Sequence, residues 1–268
     1  MSASPLLRLI LVPLQFTGTA IAFALFGVGG ILYGLLVTPW LKLTSRTPEE
    51  SRKRARAVVR FFFRVFVGFI RVLRLARIEV VNPEGLMRPG SIIAASHPSL
   101  IDVVCLISIV PEATTIVKAK LLSNPFTRFP ILASGYATNA DGPEALEALS
   151  RELESGASFV IFPEGTRTPR DLPPGELPKM HRGAAQLALH TGRPITPVRV
   201  TAEPRWLTKD RGWWHLPEKP MVLTFEVLPE IPVADYLPLY NSSPRSAARR
   251  LTEDLGARLF EHNVEAHV

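Results

Sequence analysis

The first part of the chain contains a long apolar stretch without a charged side chain. Between Arg8 and Lys42 the sequence reads LILVPLQFTGTAIAFALFGVGGILYGLLVTPWL. A helix that spans a bilayer needs about 20 predominantly apolar residues, and this stretch is longer than that. It therefore predicts a membrane-embedded segment, which we place at residues 1–43.

Three arrangements of this segment fit its composition. In the first, residues 14–37 form a single tilted transmembrane helix. In the second, Gly27, Gly29 and Gly30 break the run into a hairpin that is embedded in one leaflet, because its arms are too short to cross. The third is a cleaved signal peptide, for which small residues such as Ala20 and Ala24 are suitable, but the apolar run continues well beyond any such cleavage point.

Residues 44–77 have the pattern of a basic amphipathic helix. Ser45 or Thr47 can cap its start, and Pro48, Glu49 and Glu50 suit its first turn. At 100° per residue, six basic side chains share one stripe and the apolar side chains fall outside it. The stripe consists of Lys53, Arg56, Arg60, Arg64, Arg71 and Arg74, and the apolar set includes Phe61, Phe62, Phe66, Phe69 and Leu73.

Two interpretations of the stripe are open, a solvated face over the core and a contact with anionic lipid headgroups. The neighbouring apolar segment favours lipid, and each charge near an anionic leaflet contributes about 1 kcal/mol. The same excess of Arg and Lys predicts that this side faces the cytoplasm. We therefore expect the protein at the cytoplasmic face of the inner or cell membrane, and no nucleic acid partner, because no nucleic-acid-binding fold signature accompanies the stripe.

From residue 78 onward, short β-branched runs alternate with helical patterns. This alternation predicts an α/β domain over residues 78–268, with a mixed, largely parallel sheet flanked by helices. Ligands of such sheets bind at the carboxyl ends of the strands. The predicted strands are 78–81, 91–96, 114–118, 158–163, 195–200 and 221–227, and the predicted helices are 99–109, 120–132, 143–155, 180–191 and 244–262.

One candidate catalytic pair lies directly after the second predicted strand. His97 falls on the turn between strand and helix, and Asp102 lies in the first turns of that helix. A carboxylate on one ring nitrogen fixes the tautomer and leaves the other nitrogen free to accept a proton, as a general base requires. A helix-capping pair without chemistry is the alternative. A metal site is disfavoured, because no second His or Cys lies nearby at ligand spacing.

A second candidate lies at the end of the fourth predicted strand, in IFPEGTRTPR. Pro163 ends strand pairing, and Gly165 allows the backbone to approach a ligand closely. Glu164 and Arg167 then project from a turn at the edge of the sheet. In isolation, this pattern also fits an ordinary surface turn with an ion pair.

Together the two stretches resemble the glycerolipid acyltransferase family that includes the 1-acylglycerol-3-phosphate acyltransferases. The family has an H-x-x-x-x-D motif followed some sixty residues later by F-P-E-G-T-R, here His97 to Asp102 and Phe162 to Arg167. KAKLLSNPF and HRGAAQLALHTGRPITPVRV are similar to later family segments. The resemblance covers residues 78–200, and residues 201–268 match nothing recognisable.

The resemblance implies that His97 deprotonates an acceptor hydroxyl while Asp102 orients it. The oxygen then attacks the thioester of an acyl-CoA or acyl carrier protein, without an acyl-enzyme and without a metal or organic cofactor. The expected acceptor is 1-acylglycerol-3-phosphate, an intermediate of phospholipid biosynthesis. Arg167 is the expected partner of its phosphate group. The implied substrate-binding residues are Glu164, Gly165, Thr166, Arg167, Ser99, Lys118 and Lys120.

One departure concerns the acceptor. In the family, a glycine is followed by an aspartate–arginine pair whose arginine is associated with the acceptor phosphate, but here Ala140 and Asp141 occupy those positions. An acidic side chain at that place would repel a phosphate by a few kcal/mol at an effective dielectric constant of about 20. Either Arg128 or Arg167 then binds the phosphate, or the acceptor is a different, non-phosphorylated lipid.

Two other functions fit the same residues. A lipid-binding protein could retain the fold without turnover, and a thioester hydrolase would use water in place of the lipid alcohol. In the C-terminal part, Trp206, Trp213 and Trp214 suit either a membrane interface or packing over the sheet.

Overall fold

The structure is a computed structural model that describes residues 5–139, 144–173 and 176–265. Within these residues, seven strands form one sheet in the order β1-β7-β6-β2-β5-β3-β4. All neighbouring pairs are parallel except β6 and β7, which are antiparallel. The strands are β1 (Ala76–Val81), β2 (Ile92–Ala95), β3 (Ala113–Val117), β4 (Ala137–Thr138), β5 (Ser158–Ile161), β6 (Ile195–Glu203) and β7 (Met221–Val227).

Helices cover both faces of this sheet, and the predicted mixed, largely parallel α/β fold is confirmed. Two buried apolar clusters form the core, one around Ile93 and Phe225 and the other around Phe159 and Leu187. The helices are α1 (Pro5–Leu32), α2 (Thr38–Thr44), α3 (Pro48–Val72), α4 (Asp102–Ile109), α5 (Arg128–Ser134), α6 (Glu144–Glu154), α7 (Gly183–Thr191), α8 (Leu237–Ser242) and α9 (Pro244–Glu265), with short 3₁₀ turns at Pro83–Leu86, Ala119–Leu122 and Ala234–Tyr236.

The helix predicted over residues 120–132 is interrupted. A 3₁₀ turn, Ala119–Leu122, is followed by a separate α5 that begins at Arg128. Pro125 lies between the two and explains the break, because it lacks an amide donor and disfavours helical backbone at the preceding Asn124.

The apolar N-terminal segment is one continuous helical run. α1 passes through Gly27, Gly29 and Gly30 without a break and joins α2 through a π-helical turn, Tyr33–Val37. The hairpin arrangement is therefore wrong. Among the described residues, Gln15–Thr44 is the one helical run long and apolar enough to cross a membrane, and it contains an 18-residue stretch with a mean hydropathy of 2.3, of which 22% is buried.

The basic stripe of α3 faces the α/β domain rather than a lipid surface, which corrects its predicted orientation. Arg56 is 2% exposed and pairs with Glu152 of α6 at 2.7 Å. Arg60 and Arg64 donate to backbone carbonyls at the end of α4, and Lys53 pairs with Glu112 at 3.3 Å. The outward face of α3 is apolar instead, with exposed side chains at Phe61, Phe62, Val65 and Val72.

Residues 201–268 complete the domain. β7 lies between β1 and β6, and α9 packs on α7 and β6. The connection from β6 to β7, residues 204–220, begins at the edge where β2, β3 and β5 end, because β6 is parallel to β2. Trp206 is buried there, whereas Trp214 is 57% exposed.

Candidate active site

His97 and Asp102 meet at the carboxyl edge of the sheet. β2 ends at Ala95, so that His97 lies on the following turn, and Asp102 is the first residue of α4. The two side chains are joined by a hydrogen bond of 3.0 Å between Nδ1 of His97 and Oδ2 of Asp102. The imidazole is 14% exposed and the carboxyl is fully buried, so the pair has one accessible member, the histidine.

Burial raises the pKa of Asp102 above its ordinary value. The hydrogen bonds from the His97 ring and from the Ser99 amide, at 2.7 Å, oppose this rise because they stabilise the carboxylate. The position of Asp102 at the N-terminus of α4 also favours the charged form. An ionised Asp102 would fix the proton of the imidazole on Nδ1 and leave Nε2 as the free base.

The turn that contains Glu164 is bonded directly to the His97 turn. Oε1 of Glu164 accepts from the His97 amide at 2.8 Å and from the Thr168 hydroxyl at 2.9 Å. In the other direction, the Thr168 amide donates to the His97 carbonyl at 2.7 Å. The structure thus brings both sequence motifs into one site, and burial raises the pKa of Glu164.

Gly165 and Thr166 line an open cavity of about 310 Å³ beside this turn. Gly165 has a left-handed backbone with φ of 62°, and a Cβ there would lie 2.9 Å from the imidazole of His181. Both the conformation and the close contact require glycine. The remaining residues around the cavity are Glu164, Pro169, Pro178, Lys179 and His181.

Arg167 is only partly available to a ligand. Its Nη1 donates to the backbone carbonyls of Leu207 and Thr208 at 2.7 and 2.8 Å. The other guanidinium nitrogens make no hydrogen bond to the described residues. These two carbonyl partners could not be predicted from residue types, because any residue type supplies a backbone carbonyl.

The other predicted substrate-binding residues lie in different environments. Ser99 is fully buried, and its amide donates to Oδ2 of Asp102 at 2.7 Å. Lys118 and Lys120 follow β3 and are exposed at the same edge of the sheet as His97. Ala140 and Asp141 lie outside the described residues. Thr168 and His181 are site residues that the sequence reasoning missed, although both lie close to the second motif.

Within the described ranges, no group of three or more His, Cys, Asp or Glu side chains could hold a metal ion. Cys105 is buried in α4, and burial raises the pKa of its thiol. A second cavity of about 330 Å³ lies at the opposite edge of the sheet, beside Asn82 and Thr196, and is separate from the two motifs.

Comparison with known proteins gives consistent matches. Residues 77–201 match the family model described as Acyltransferase. A 1-acyl-sn-glycerol-3-phosphate acyltransferase of Pseudomonas aeruginosa is 30% identical over 172 residues, which cover 62% of this chain and 65% of the relative. Enzymes of the same name from Saccharomyces cerevisiae and Bacillus subtilis are 29% and 30% identical, over 52% and 45% of this chain. The matches span 47% and 61% of those two relatives, so each of the three is matched over less than two thirds of its length.

A solved structure has the same fold. The crystal structure of the 1-acyl-sn-glycerophosphate (LPA) acyltransferase PlsC from Thermotoga maritima superposes with a TM-score of 0.67 and covers 92% of this chain and 96% of that one. The sequence identity is 22%, so this similarity concerns the fold alone. The family match and the three relatives confirm the resemblance predicted from the two motifs: residues 77–201 of this chain are similar to the acyltransferase family.

Proposed function

We propose that this protein transfers a fatty acyl group from a thioester, carried by coenzyme A or acyl carrier protein, to the free hydroxyl of 1-acylglycerol-3-phosphate at a membrane surface. The observation that carries the proposal is the hydrogen bond of 3.0 Å between His97 and the buried Asp102, held beside the Glu164 turn. The names of the three relatives support the same substrate.

The reaction needs a base that becomes an acid. Nε2 of His97 takes the proton of the acceptor hydroxyl while its oxygen attacks the thioester carbonyl carbon. The carbon–sulfur bond then breaks, and the thiolate leaves with the proton that the imidazolium returns, so that the products are an ester and a thiol. Asp102 stabilises the transient imidazolium, because its carboxylate lies on Nδ1.

The acceptor would bind at the carboxyl edge of the sheet. Its phosphate would be bound by the guanidinium nitrogens of Arg167 that Leu207 and Thr208 do not use. Gly165, Thr166 and the buried Glu164 shape this side of the site, and the exposed Lys118 and Lys120 add positive charge. The site would thus hold an anionic headgroup beside the imidazole.

The apolar surface of the N-terminal helices supports attachment to a membrane, with the cytoplasm as the expected side. The run Gln15–Thr44 is mostly unburied, and exposed apolar side chains continue onto α3 at Phe61 and Val72, which are 62% and 81% exposed. Contiguous apolar surface of this kind is rare on soluble monomers. Attachment through these side chains would keep the site close to lysolipid, which raises the local acceptor concentration.

The test is acyl transfer by the full chain in lipid vesicles, with a labelled acyl thioester and 1-acylglycerol-3-phosphate. We expect His97→Ala to lower the rate by about 10²–10⁴-fold, the usual contribution of a general base. Asp102→Asn should also lower it, because the amide cannot balance the charge of the imidazolium. His190→Ala, on the exposed face of α7, is the matched control and should retain the rate. Transfer at the wild-type rate by His97→Ala would refute the proposed mechanism.

The same assay distinguishes the alternatives. Equal transfer to 1-acylglycerol without phosphate would show that the acceptor is a different lipid, which the residues at 140 and 141 also allow. Free fatty acid as the only product, with acceptor present, would identify a thioester hydrolase. Lipid binding without any product would identify a non-catalytic protein. Parallel reactions with acyl-CoA and acyl carrier protein would identify the donor.

A further inference from the structure

Residues 205–214, which we call the β6–β7 segment, connect the candidate active site with the N-terminal helix. The segment follows β6, whose carboxyl end lies at the same edge of the sheet as His97. It has no role in the proposed chemistry, and neither motif includes it. Its contacts nevertheless involve both motifs.

One backbone carbonyl of the segment joins the two motifs. The carbonyl of Leu207 accepts from Nη1 of Arg167 at 2.7 Å and from the amide of Leu100 at 3.2 Å. Leu100 lies between His97 and Asp102, and Arg167 closes the second motif. The carbonyl of Thr208 adds a second acceptor for the same Nη1 at 2.8 Å. The position of the Arg167 guanidinium thus depends on where these two peptide groups lie.

The residues at this end of the segment are buried. Trp206, Leu207 and Thr208 are 5%, 5% and 2% exposed, and Trp206 and Leu207 belong to the apolar core. Leu207 has a φ of 56°, in the left-handed region that residues other than glycine rarely adopt. This conformation persists only where the surroundings impose it, and it directs the carbonyl at Arg167.

The other end of the segment lies on α1. The indole of Trp213 contacts the rings of Phe16 and Phe23, with centroid distances of 5.3 and 5.6 Å. Phe16 and Phe23 are two helical turns apart, so they share one face of α1. Trp213 therefore contacts α1 from the same short segment that carries the two carbonyls bonded to Arg167.

We propose that Trp213 is a positioning residue: by packing on Phe16 and Phe23 of α1, it holds the Leu207 and Thr208 carbonyls where they orient Arg167. The orientation of the acceptor-binding arginine then depends on the docking of the apolar N-terminal helix against the domain. The role in catalysis rests on the proposed function, whereas the structural dependence of Arg167 and Leu100 on Trp213 does not.

Hydrogen exchange measured by mass spectrometry on the full chain tests the dependence without any substrate. In Trp213→Ala, the Leu100 amide should exchange about tenfold faster, because its acceptor, the Leu207 carbonyl, is no longer held. Phe16→Ala removes the same contact from the side of α1 and should have the same effect. Trp214→Ala is the matched control, since Trp214 is 57% exposed and contacts Trp213 and His215 but no ring of α1.

Kinetics then test the role in the reaction. We expect Trp213→Ala and Phe16→Ala to raise the KM for the phosphate-bearing acceptor by about tenfold and to change kcat by less than about twofold, as when binding rather than chemistry is weakened. Wild-type exchange of the Leu100 amide in both variants would overturn the inference. A wild-type protein without transferase activity would instead refute the proposed function, and the exchange result would still decide whether Trp213 positions the site.

Discussion

Glu164 is the buried residue that bonds the two motifs to each other, and its replacement distinguishes a structural from a purely substrate-binding role. Its Oε1 accepts from the His97 amide and the Thr168 hydroxyl, and the residue is 4% exposed. Glu164→Ala removes the acceptor of both donors. Glu164→Gln keeps an oxygen in the same place and removes the charge.

The two substitutions should differ by several kcal/mol in the free energy of unfolding. A buried donor that loses its acceptor costs about 1–3 kcal/mol, and two donors are affected here. The Thr168 hydroxyl can rotate toward another acceptor, so we expect Glu164→Ala to destabilise by about 2–4 kcal/mol. Oε2 of Glu164 has no hydrogen-bond partner among the described residues. In Glu164→Gln the side-chain nitrogen takes the place of this oxygen, so no existing hydrogen bond is lost. Glu164→Gln should therefore stay within about 1 kcal/mol of wild type.

The pH dependence has a definite sign. Burial raises the pKa of Glu164, and the hydrogen bonds from Thr168 and the His97 amide only partly oppose it. The unfolded chain therefore loses this proton at a lower pH than the folded protein does. The stability that the carboxyl contributes is fully present below its unfolded pKa, about 4.3, and is lost as the pH rises through the folded value. Because Gln does not titrate, the free energy of unfolding of Glu164→Gln relative to wild type should increase over that range.

The measurement is guanidinium unfolding in detergent micelles at a series of pH values, followed by the near-ultraviolet circular dichroism of the tryptophans. Glu147→Ala, at an exposed position of α6, is the control and should change stability by less than about 0.5 kcal/mol. The reasoning fails if Glu164→Ala is as stable as wild type. It also fails if the free energy of unfolding of Glu164→Gln, relative to wild type, decreases as the pH rises.

Two further predictions concern the attachment of the N-terminal helices. Gly30→Ala should destabilise by about 1–3 kcal/mol or more, because a Cβ at Gly30 would overlap the backbone carbonyl of Phe126, whereas Gly29→Ala, with open space around it, should be neutral or stabilising. Thermal unfolding of both variants in the same detergent compares them, and equal midpoints would contradict the close contact. Arg56→Met should cost about 2–4 kcal/mol, because it removes the side-chain donor to the Ser134 carbonyl and leaves Glu152 with only the more exposed Arg52 as a partner. Arg54→Met, which breaks an exposed pair with Glu50, should cost less than about 1 kcal/mol. A similar loss in the two Arg variants, measured by guanidinium unfolding, would argue against a structural role for the buried pair.

The strands and the two motifs could be predicted because their signals are local. The run that becomes β2 is apolar at every position and that of β5 at every position after Ser158, as is typical of strands covered on both faces, and all four residues of each are buried. β4 was missed because two residues, Ala137 and Thr138, are too short to show any periodicity. The meeting of His97 with Glu164 followed from topology, since both come after parallel strands that are neighbours in the sheet.

The orientation of α3 could not be predicted from its helical pattern. A helical wheel separates a basic stripe from an apolar one but does not say which stripe faces the protein. We expected the basic stripe to face either solvent or anionic lipid headgroups, with lipid favoured. In the structure the arginines find acceptors on the domain, such as the Ser108 and Ile109 carbonyls, and Phe63 and Phe66 pack on Phe26 of α1.

The arginines of α3 also explain how the N-terminal helices support the His97–Asp102 pair. The last carbonyls of a helix have no partner within it and form the negative end of its dipole. Arg60 and Arg64 donate to the carbonyls of Ser108 and Ile109 at the end of α4, at distances from 2.6 to 3.4 Å. At the other end of this eight-residue helix, Asp102 is bonded to the His97 ring. α4 is therefore held by His97 at one end and by α3 at the other, so the helix that carries Asp102 is fixed to the same N-terminal unit whose apolar surface would lie in the membrane under the proposed function.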